Sequence, residues 1–159
     1  MKIKTTLFGL LLTAAACQPG AGPAPRLPLP IVGTWQLIAA TSTEKDSTYS
    51  TFNPATRMIK IISPTHFAFF NHDLQMGKDS ATASYNAGGG TYTLVDSLYT
   101  EHLEYFNVRE WEGHRFQFVV SVRHDTLVQQ GLEKIESLGI ERTIVETYQR
   151  IGGAKNHER

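Results

Sequence analysis

Two side chains capable of acid–base chemistry lie close together in the chain, at His102 and Glu104. Because residues two apart on a β-strand project to the same face, this imidazole and this carboxylate can meet. Such a pair can exchange protons with a substrate, hydrogen-bond a ligand, or simply satisfy itself in a structural network. The pattern leaves these three roles open, and it does not favour an enzyme over a binding protein.

Other kinds of site find little support in the residue spacing. The chain has six histidines and one cysteine, without an H-x-x-x-H helix or an H-x-H strand pair, so no metal site is predicted. Convergence of His72, His102 and His114 from different strands is the metal alternative that stays open. No G-x-S-x-G elbow supports serine catalysis. The glycine run 88–90 lies between strand segments, which indicates a bulge or space for a ligand rather than a phosphate loop or a cofactor site.

The elements that must position these side chains are strands. In residues 31–151, apolar and polar residues alternate in short stretches rich in β-branched and aromatic side chains, which is typical of half-buried strands. Residues 132–138 could form a short helical turn. The eight predicted strands are Trp35–Thr41, Arg57–Ile62, His66–His72, Ala81–Leu94, Leu98–Phe106, His114–Arg123, Thr126–Gln130 and Ile140–Ile151.

The connections between the predicted strands alternate in length. Long ones are expected at residues 42–56, 73–80, 107–113 and 131–139, and short ones at residues 63–65, 96–97 and 124–125. In an up-and-down meander, alternate connections lie at the same end, so the long loops share one rim and the tight turns close the other. We therefore predict an all-β fold, an eight-stranded up-and-down antiparallel barrel whose interior can hold one small ligand.

Strand pairing across the predicted turns assigns side chains to the interior. A pair between Phe106 and His114 places the apolar face of the next strand inside. Lys60 is expected to face outward, with Ile59, Ile61, Phe67 and Phe69 inward. Arg150 is expected to face inward toward Trp35, together with the residues that share its face. With Trp111 as a lid residue on the rim, the predicted ligand-binding residues are His102, Glu104, Phe116, Phe118, Gln129, Arg142, Glu146, Tyr148 and Trp111.

A family resemblance adds to this interpretation. The segment Val32-Gly33-Thr34-Trp35-Gln36-Leu37 resembles the G-x-W signature that opens lipocalins and bacterial lipocalin-like domains. The resemblance implies that Trp35 lies across the closed barrel end and that an Arg near the end of the last strand, here Arg150, packs on its ring. Both residues would be a structural plug. His102-Leu103-Glu104 is also similar to a His-x-Glu strand pattern of bacterial lipocalin-like domains.

The N-terminal residues have the composition of an export signal. Lys2 and Lys4 precede an apolar stretch too short to span a bilayer, so residues 1–16 are interpreted as a signal peptide. The stretch ends at Cys17 in a pattern that resembles a bacterial lipobox, although Ala14 stands where that motif usually has Leu. Ordinary signal-peptidase cleavage is the alternative. Residues 17–30 contain five of the seven prolines and are expected to form a tether, while residues 152–159 are expected to be a flexible tail.

Composition and charge argue against a nucleic-acid partner. The chain has 159 residues, with 15 Lys and Arg against 15 Asp and Glu, so no basic face for nucleic acid is expected. The sequence predicts an envelope lipoprotein, lipid-anchored through Cys17 in the outer membrane and facing the periplasm. Its barrel would bind a small apolar or amphipathic molecule without a cofactor. The alternatives are an enzyme that uses His102 and Glu104, and a structural or protein-binding lipoprotein with a filled barrel.

Overall fold

A computed structural model describes residues 29–152. The signal peptide, Cys17, most of the tether and most of the C-terminal tail lie outside the described residues. Within them the chain forms strands β1 (Gly33–Glu44), β2 (Ser47–Ser50), β3 (Thr56–Ile62), β4 (His66–Asp73), β5 (Tyr85–Val95), β6 (Leu98–Phe106), β7 (Arg115–Arg123), β8 (Thr126–Ile135) and β9 (Ile140–Ile151). Two three-residue 3₁₀ turns, Arg109–Trp111 and Glu136–Leu138, are the helical elements there. No helix in this part of the chain is long and apolar enough to cross a membrane.

Eight of these strands form a closed antiparallel barrel. Each of β3 to β9 pairs with the strand before it in the meander, and β9 returns to pair with β1 along most of their length. Closure leaves no free edge among the eight strands, which is the usual way for an antiparallel sheet to avoid pairing with other chains. The predicted eight-stranded up-and-down barrel is therefore confirmed.

The additional strand β2 was not predicted. It pairs only with residues 41–44 of β1 and extends the sheet at the rim that carries the long loops. Its four residues, Ser47–Ser50, are all exposed, so no buried face gave them the alternation that marks a half-buried strand. The strand boundaries also differ at β5, which begins at Tyr85 rather than Ala81, and at β8, which continues to Ile135 rather than Gln130.

The closed end of the barrel is sealed by Trp35 and Arg150. Trp35 is fully buried and its indole nitrogen donates to the Ile31 carbonyl oxygen at 2.7 Å. The Arg150 guanidinium carbon lies 4.0 Å from the centre of the Trp35 ring, a cation–π distance. The guanidinium also donates to the carbonyl oxygens of Val32 at 2.9 Å and Pro30 at 2.7 Å. Arg150 thus holds the entering chain against the plug, as the resemblance implied.

The glycine run makes the bulge that the sequence indicated. The register between β5 and β6 shifts between Gly89 and Gly90, which leaves Glu104 without a paired residue on β5. A Cβ atom on Gly90 would lie 1.9 Å from the His102 carbonyl oxygen, so a larger residue cannot be accommodated there without moving β6. The close approach of β6 therefore requires a glycine at position 90.

We expect Trp35→Ala to lower the free energy of unfolding by about 3–5 kcal/mol, because a large buried aromatic ring is removed. Arg150→Met keeps the apolar stem over the ring and loses the hydrogen bonds and the charge, so it should cost less, about 1–3 kcal/mol. Urea unfolding followed by circular dichroism measures both. Wild-type stability in the Trp35→Ala protein would contradict the role of the plug.

Candidate functional site

The barrel encloses a cavity of about 340 Å³ that opens toward the rim of long loops. This volume lies at the lower end of the range for small-molecule sites, about 300–1,000 Å³. The filled-barrel alternative requires an interior packed solid with side chains, and this interior is not. The lining consists of Met58, Lys60, Phe69, Asn71, Asn86, Glu101, Leu103, Phe106, Val108, Trp111, Phe116, Phe118, Gln129, Glu133, Arg142, Ile144, Glu146 and Tyr148.

Aromatic side chains form the part of the cavity that is nearest the open rim. The Trp111 ring, on the 3₁₀ turn after β6, makes an edge-to-face contact with Phe106 at 6.2 Å between centroids. It also packs against Phe116 of β7 at 5.9 Å. Phe69 contacts Phe106 at 5.4 Å on the other side. These rings give the mouth an apolar lining, and Trp111 takes the rim position predicted for it.

A buried ammonium group lies deeper, near the closed end. The Lys60 side chain is 3% exposed, and its Nζ atom lies 2.6 Å from Glu101 Oε1. The same Nζ atom donates to Gln129 Oε1 at 2.8 Å. Three rings surround it, each with its centroid 5.6 Å from Nζ, and they belong to Phe67, Tyr99 and Tyr148. Ion pairing, hydrogen bonding and the aromatic faces together offset the desolvation of this charge.

A second carboxylate, Glu146, borders the cavity above this group. Its Oε2 atom accepts a hydrogen bond from the Tyr148 hydroxyl at 2.6 Å and one from Gln129 Nε2 at 3.4 Å. Burial raises the pKa of the Glu146 carboxyl, and the nearby Lys60 charge and the Tyr148 hydrogen bond only partly oppose this. The Tyr148 hydroxyl is itself held protonated, because burial and the Glu146 charge raise its pKa well above the ordinary value.

Nearer the mouth, Arg142 is paired with Glu133. The Nε atom of Arg142 lies 2.7 Å from Glu133 Oε2, between residues that are directly paired on β8 and β9. The guanidinium carbon also lies 5.6 Å from the centre of the Trp111 ring. The two cations of the lining, Lys60 and Arg142, are therefore both engaged with a carboxylate.

Seven of the nine predicted ligand-binding residues line this cavity. They are Phe116, Phe118, Gln129, Arg142, Glu146, Tyr148 and Trp111. The predicted pairing of Val120 with Gln129 is also confirmed, and Gln129 is buried as a result. Whether these side chains bind a ligand stays a prediction.

The predicted positions of His102 and Glu104 are wrong. On β6 and β7, Glu101 pairs with Phe116 and His102 with Arg115, three residues away from the predicted register, so the two side chains lie on the outer face. The reason is the wide connection that contains the Trp111 turn. It starts at Leu103, whose backbone N–H donates to the His114 carbonyl oxygen at 3.0 Å and whose carbonyl oxygen accepts from the Gly113 N–H at 2.8 Å. The odd shift inverts the β6 faces and brings Glu101 inside instead.

On the outer face, His102 and Glu104 do meet. His102 Nδ1 lies 3.4 Å from Glu104 Oε1, which also accepts a hydrogen bond from the Thr91 hydroxyl at 2.6 Å. That hydrogen bond is the main reason that the pKa of Glu104 is lowered, with smaller contributions from the Thr91 backbone and His102. A carboxylate with a lowered pKa is a poor general base at neutral pH, and this pair is not in the cavity.

The prediction for β3 is wrong in the same way. Lys60 faces inward, and Ile59 and Ile61 lie on the opposite face, because Ile62 rather than Ile61 pairs with Phe67. The turn is tighter than expected: Ser63 donates its backbone N–H to the His66 carbonyl oxygen at 2.9 Å, leaving two residues in the loop. Phe67 and Phe69 face inward as predicted. The sequence did not indicate this inversion, because a lysine between isoleucines is normally expected on the solvent-facing side of a strand.

Metal binding finds no geometric support in the described part of the chain. Among residues 29–152, no group of three or more His, Cys, Asp or Glu side chains is placed to hold a metal ion. His72, His102 and His114 are thus not brought together.

The comparison with known proteins gives a family. A family model described as "Domain of unknown function (DUF4488)" matches residues 30–159. No curated protein and no solved structure matches the chain.

We expect Lys60→Met to lower the free energy of unfolding by about 3–5 kcal/mol, because Glu101 is left as an unpaired buried charge. The double variant Lys60→Met/Glu101→Leu removes both charges and should recover most of this loss. A double-mutant cycle from urea unfolding measures the coupling, with Glu101→Leu as the second single variant. Additive losses would show that the two groups do not interact.

Proposed function

Since the chain belongs to the DUF4488 family, whose function is unknown, its role has to follow from its barrel, and we propose that it binds a small amphipathic molecule in the cavity. The observation that carries this proposal is a cavity of about 340 Å³ with an aromatic mouth and a polar interior. A ligand with an apolar body and one polar group matches this division. The fold supports the proposal, since an eight-stranded barrel of this kind fits a lipocalin-like protein.

The polar interior explains why a purely apolar ligand is less suitable. Groups such as Gln129 and Glu146 must be hydrogen-bonded, to each other or to a guest, because an unsatisfied buried polar group is costly. Their network leaves polar atoms facing the cavity, and a ligand with a polar head can satisfy them. The ring of Trp111 at the mouth would contact the body of that ligand and would report its entry.

We also propose that the protein is a lipoprotein of the bacterial envelope. Its support is the sequence around Cys17, which resembles a lipobox, and the proline-rich tether that follows. The described chain adds one argument: Pro30 is held at the closed end of the barrel by Arg150. A tether that starts there would turn the open mouth away from the outer membrane and toward the periplasm.

Ligand entry is tested with 1-octanol, an uncharged amphiphile. We expect binding in the micromolar to millimolar range, because burying eight CH₂-type groups at about 0.8 kcal/mol each yields roughly 6 kcal/mol before the costs of association. Trp111 fluorescence and titration calorimetry measure it. Ile144→Phe, which enlarges one side chain of the lining and narrows the cavity, should weaken binding at least about tenfold, or 1.4 kcal/mol. Ile61→Phe, the same substitution on the exposed outer face, is the size-matched control. Equal affinities in the two variants would place octanol elsewhere.

Anchoring is tested separately with Cys17→Ser. This change should abolish incorporation of labelled palmitate and move the protein from the membrane fraction to the soluble fraction, while the circular dichroism of the barrel is unchanged. Metabolic labelling and detergent-free fractionation of the native host give the result. A wild-type protein that is soluble and unacylated would reject the lipoprotein proposal.

A further inference from the structure

The charges that line the cavity are unequally compensated. Lys60 is ion-paired with Glu101 at 2.6 Å and Arg142 with Glu133 at 2.7 Å, so each cation of the lining already has an anionic partner. The remaining ionisable carboxyl of the lining is Glu146, which forms no salt bridge within residues 29–152 and is held by the uncharged donors of Tyr148 and Gln129. The surplus charge available to a guest is therefore negative.

The unsatisfied hydrogen-bonding atoms of the lining point the same way. Both hydrogen bonds to Glu146 end on Oε2, so its Oε1 atom is left for a guest. Asn71, across the barrel on β4, has a buried Oδ1 atom without a hydrogen-bond partner in the described chain. Both atoms are acceptors when Glu146 is ionised, so together they favour a guest that donates hydrogen bonds. An alkylammonium head offers three N–H donors and no acceptor, whereas a carboxylate offers acceptors only.

We propose that the cavity selects amphiphiles with a cationic amino head, which binds at Glu146, over amphiphiles with a carboxylate head. This inference rests on the proposed function, because it concerns the same cavity. An ammonium group would form the salt bridge that Glu146 lacks within residues 29–152. A charge-assisted hydrogen bond of this kind is among the stronger polar contacts. A carboxylate would have the same charge as the ionised Glu146 and would have to compete with Glu133 for Arg142.

The protonation of Glu146 adds a second signature. Because burial raises its pKa, Glu146 keeps its proton in the empty cavity at pH values where an exposed glutamate has lost it. An ammonium head favours the ionised carboxylate, so amine binding releases this proton and becomes tighter as pH rises. The charged and titratable groups around Glu146 are Lys60 on β3, Glu101 on β6, Glu133 on β8, and Arg142 and Tyr148 on β9. The neighbouring strand β1 contributes the uncharged Ala40 at this position.

Three probes of equal chain length separate the head groups: octylamine, 1-octanol and octanoate. At neutral pH we expect octylamine to bind at least about tenfold tighter than octanoate, since only the amine makes a charge-assisted hydrogen bond to Glu146. The amine stays charged, as a lysine side chain does, while Glu146 loses its proton above the usual pH range of a glutamate. The affinity for octylamine should therefore rise with pH while that for octanol stays constant. Titration calorimetry on the purified full chain measures all three.

The variant Glu146→Gln keeps the shape of the side chain and removes its charge. In this protein octylamine should bind no tighter than octanol, and the rise with pH should vanish. Glu104→Gln is the matched control, because it is the same change on the outer face and should alter neither affinity. Glu133→Gln frees Arg142 and should raise the affinity for octanoate.

The outcomes separate this inference from the proposed function. If octanol binds in the cavity but octanoate binds as tightly as octylamine, or if Glu146→Gln leaves the amine affinity unchanged, the amine selectivity is wrong and the binding function stands. If none of the three probes binds to the folded protein, both fall.

Discussion

The charge of Lys60 is the constraint on which the interior depends. A buried ammonium must be paired and hydrogen-bonded, since removing an ion from water costs several kcal/mol. Here the partners come from strands far apart in the chain, Glu101 on β6 and Gln129 on β8, with Tyr148 of β9 beside them. Their contacts require that all four strands present these residues inward. The ion pair therefore ties together the registers that determine which side chains line the cavity.

The Trp35–Arg150 plug and the polar network around Lys60 form separate layers of the barrel interior. Trp35 and Arg150 seal the closed end, the network around Lys60 lies above them, and the aromatic rings of Phe106, Trp111 and Phe116 surround the mouth. The cavity lies above the plug, and its lining includes the Lys60 network, Glu146 and the aromatic rings. A guest would thus have its polar end at Glu146 and its apolar end at the rim. Trp35 and Arg150 at the closed end do not line the cavity, so they would not contact the guest.

The topology could be predicted from the sequence, because residue alternation marks the strands and the alternating lengths of the connections indicate an up-and-down barrel. Trp35 and Arg150 were found through the G-x-W resemblance. Gln129 was found through the short turn at residues 124–125, and Glu146 because it shares a strand face with Arg150. Lys60 and Glu101 were missed, since both assignments depended on a register. A turn that is one residue tighter, at Pro64-Thr65, inverts β3, and the wide loop around Trp111 inverts β6. Periodicity of two cannot distinguish the two faces of a strand when isoleucines lie on one and a paired lysine on the other.

The central claim is that the space between Glu146 and Trp111 is a binding site for an amphiphile. A crystal structure of the full-length mature protein with octylamine tests it most directly. The account predicts an alkyl chain between Phe106, Trp111 and Phe116, with its nitrogen within hydrogen-bonding distance of Glu146 and with Lys60 still on Glu101. A structure in which the interior is filled by side chains, or in which the amine lies only on the outer surface, would contradict it.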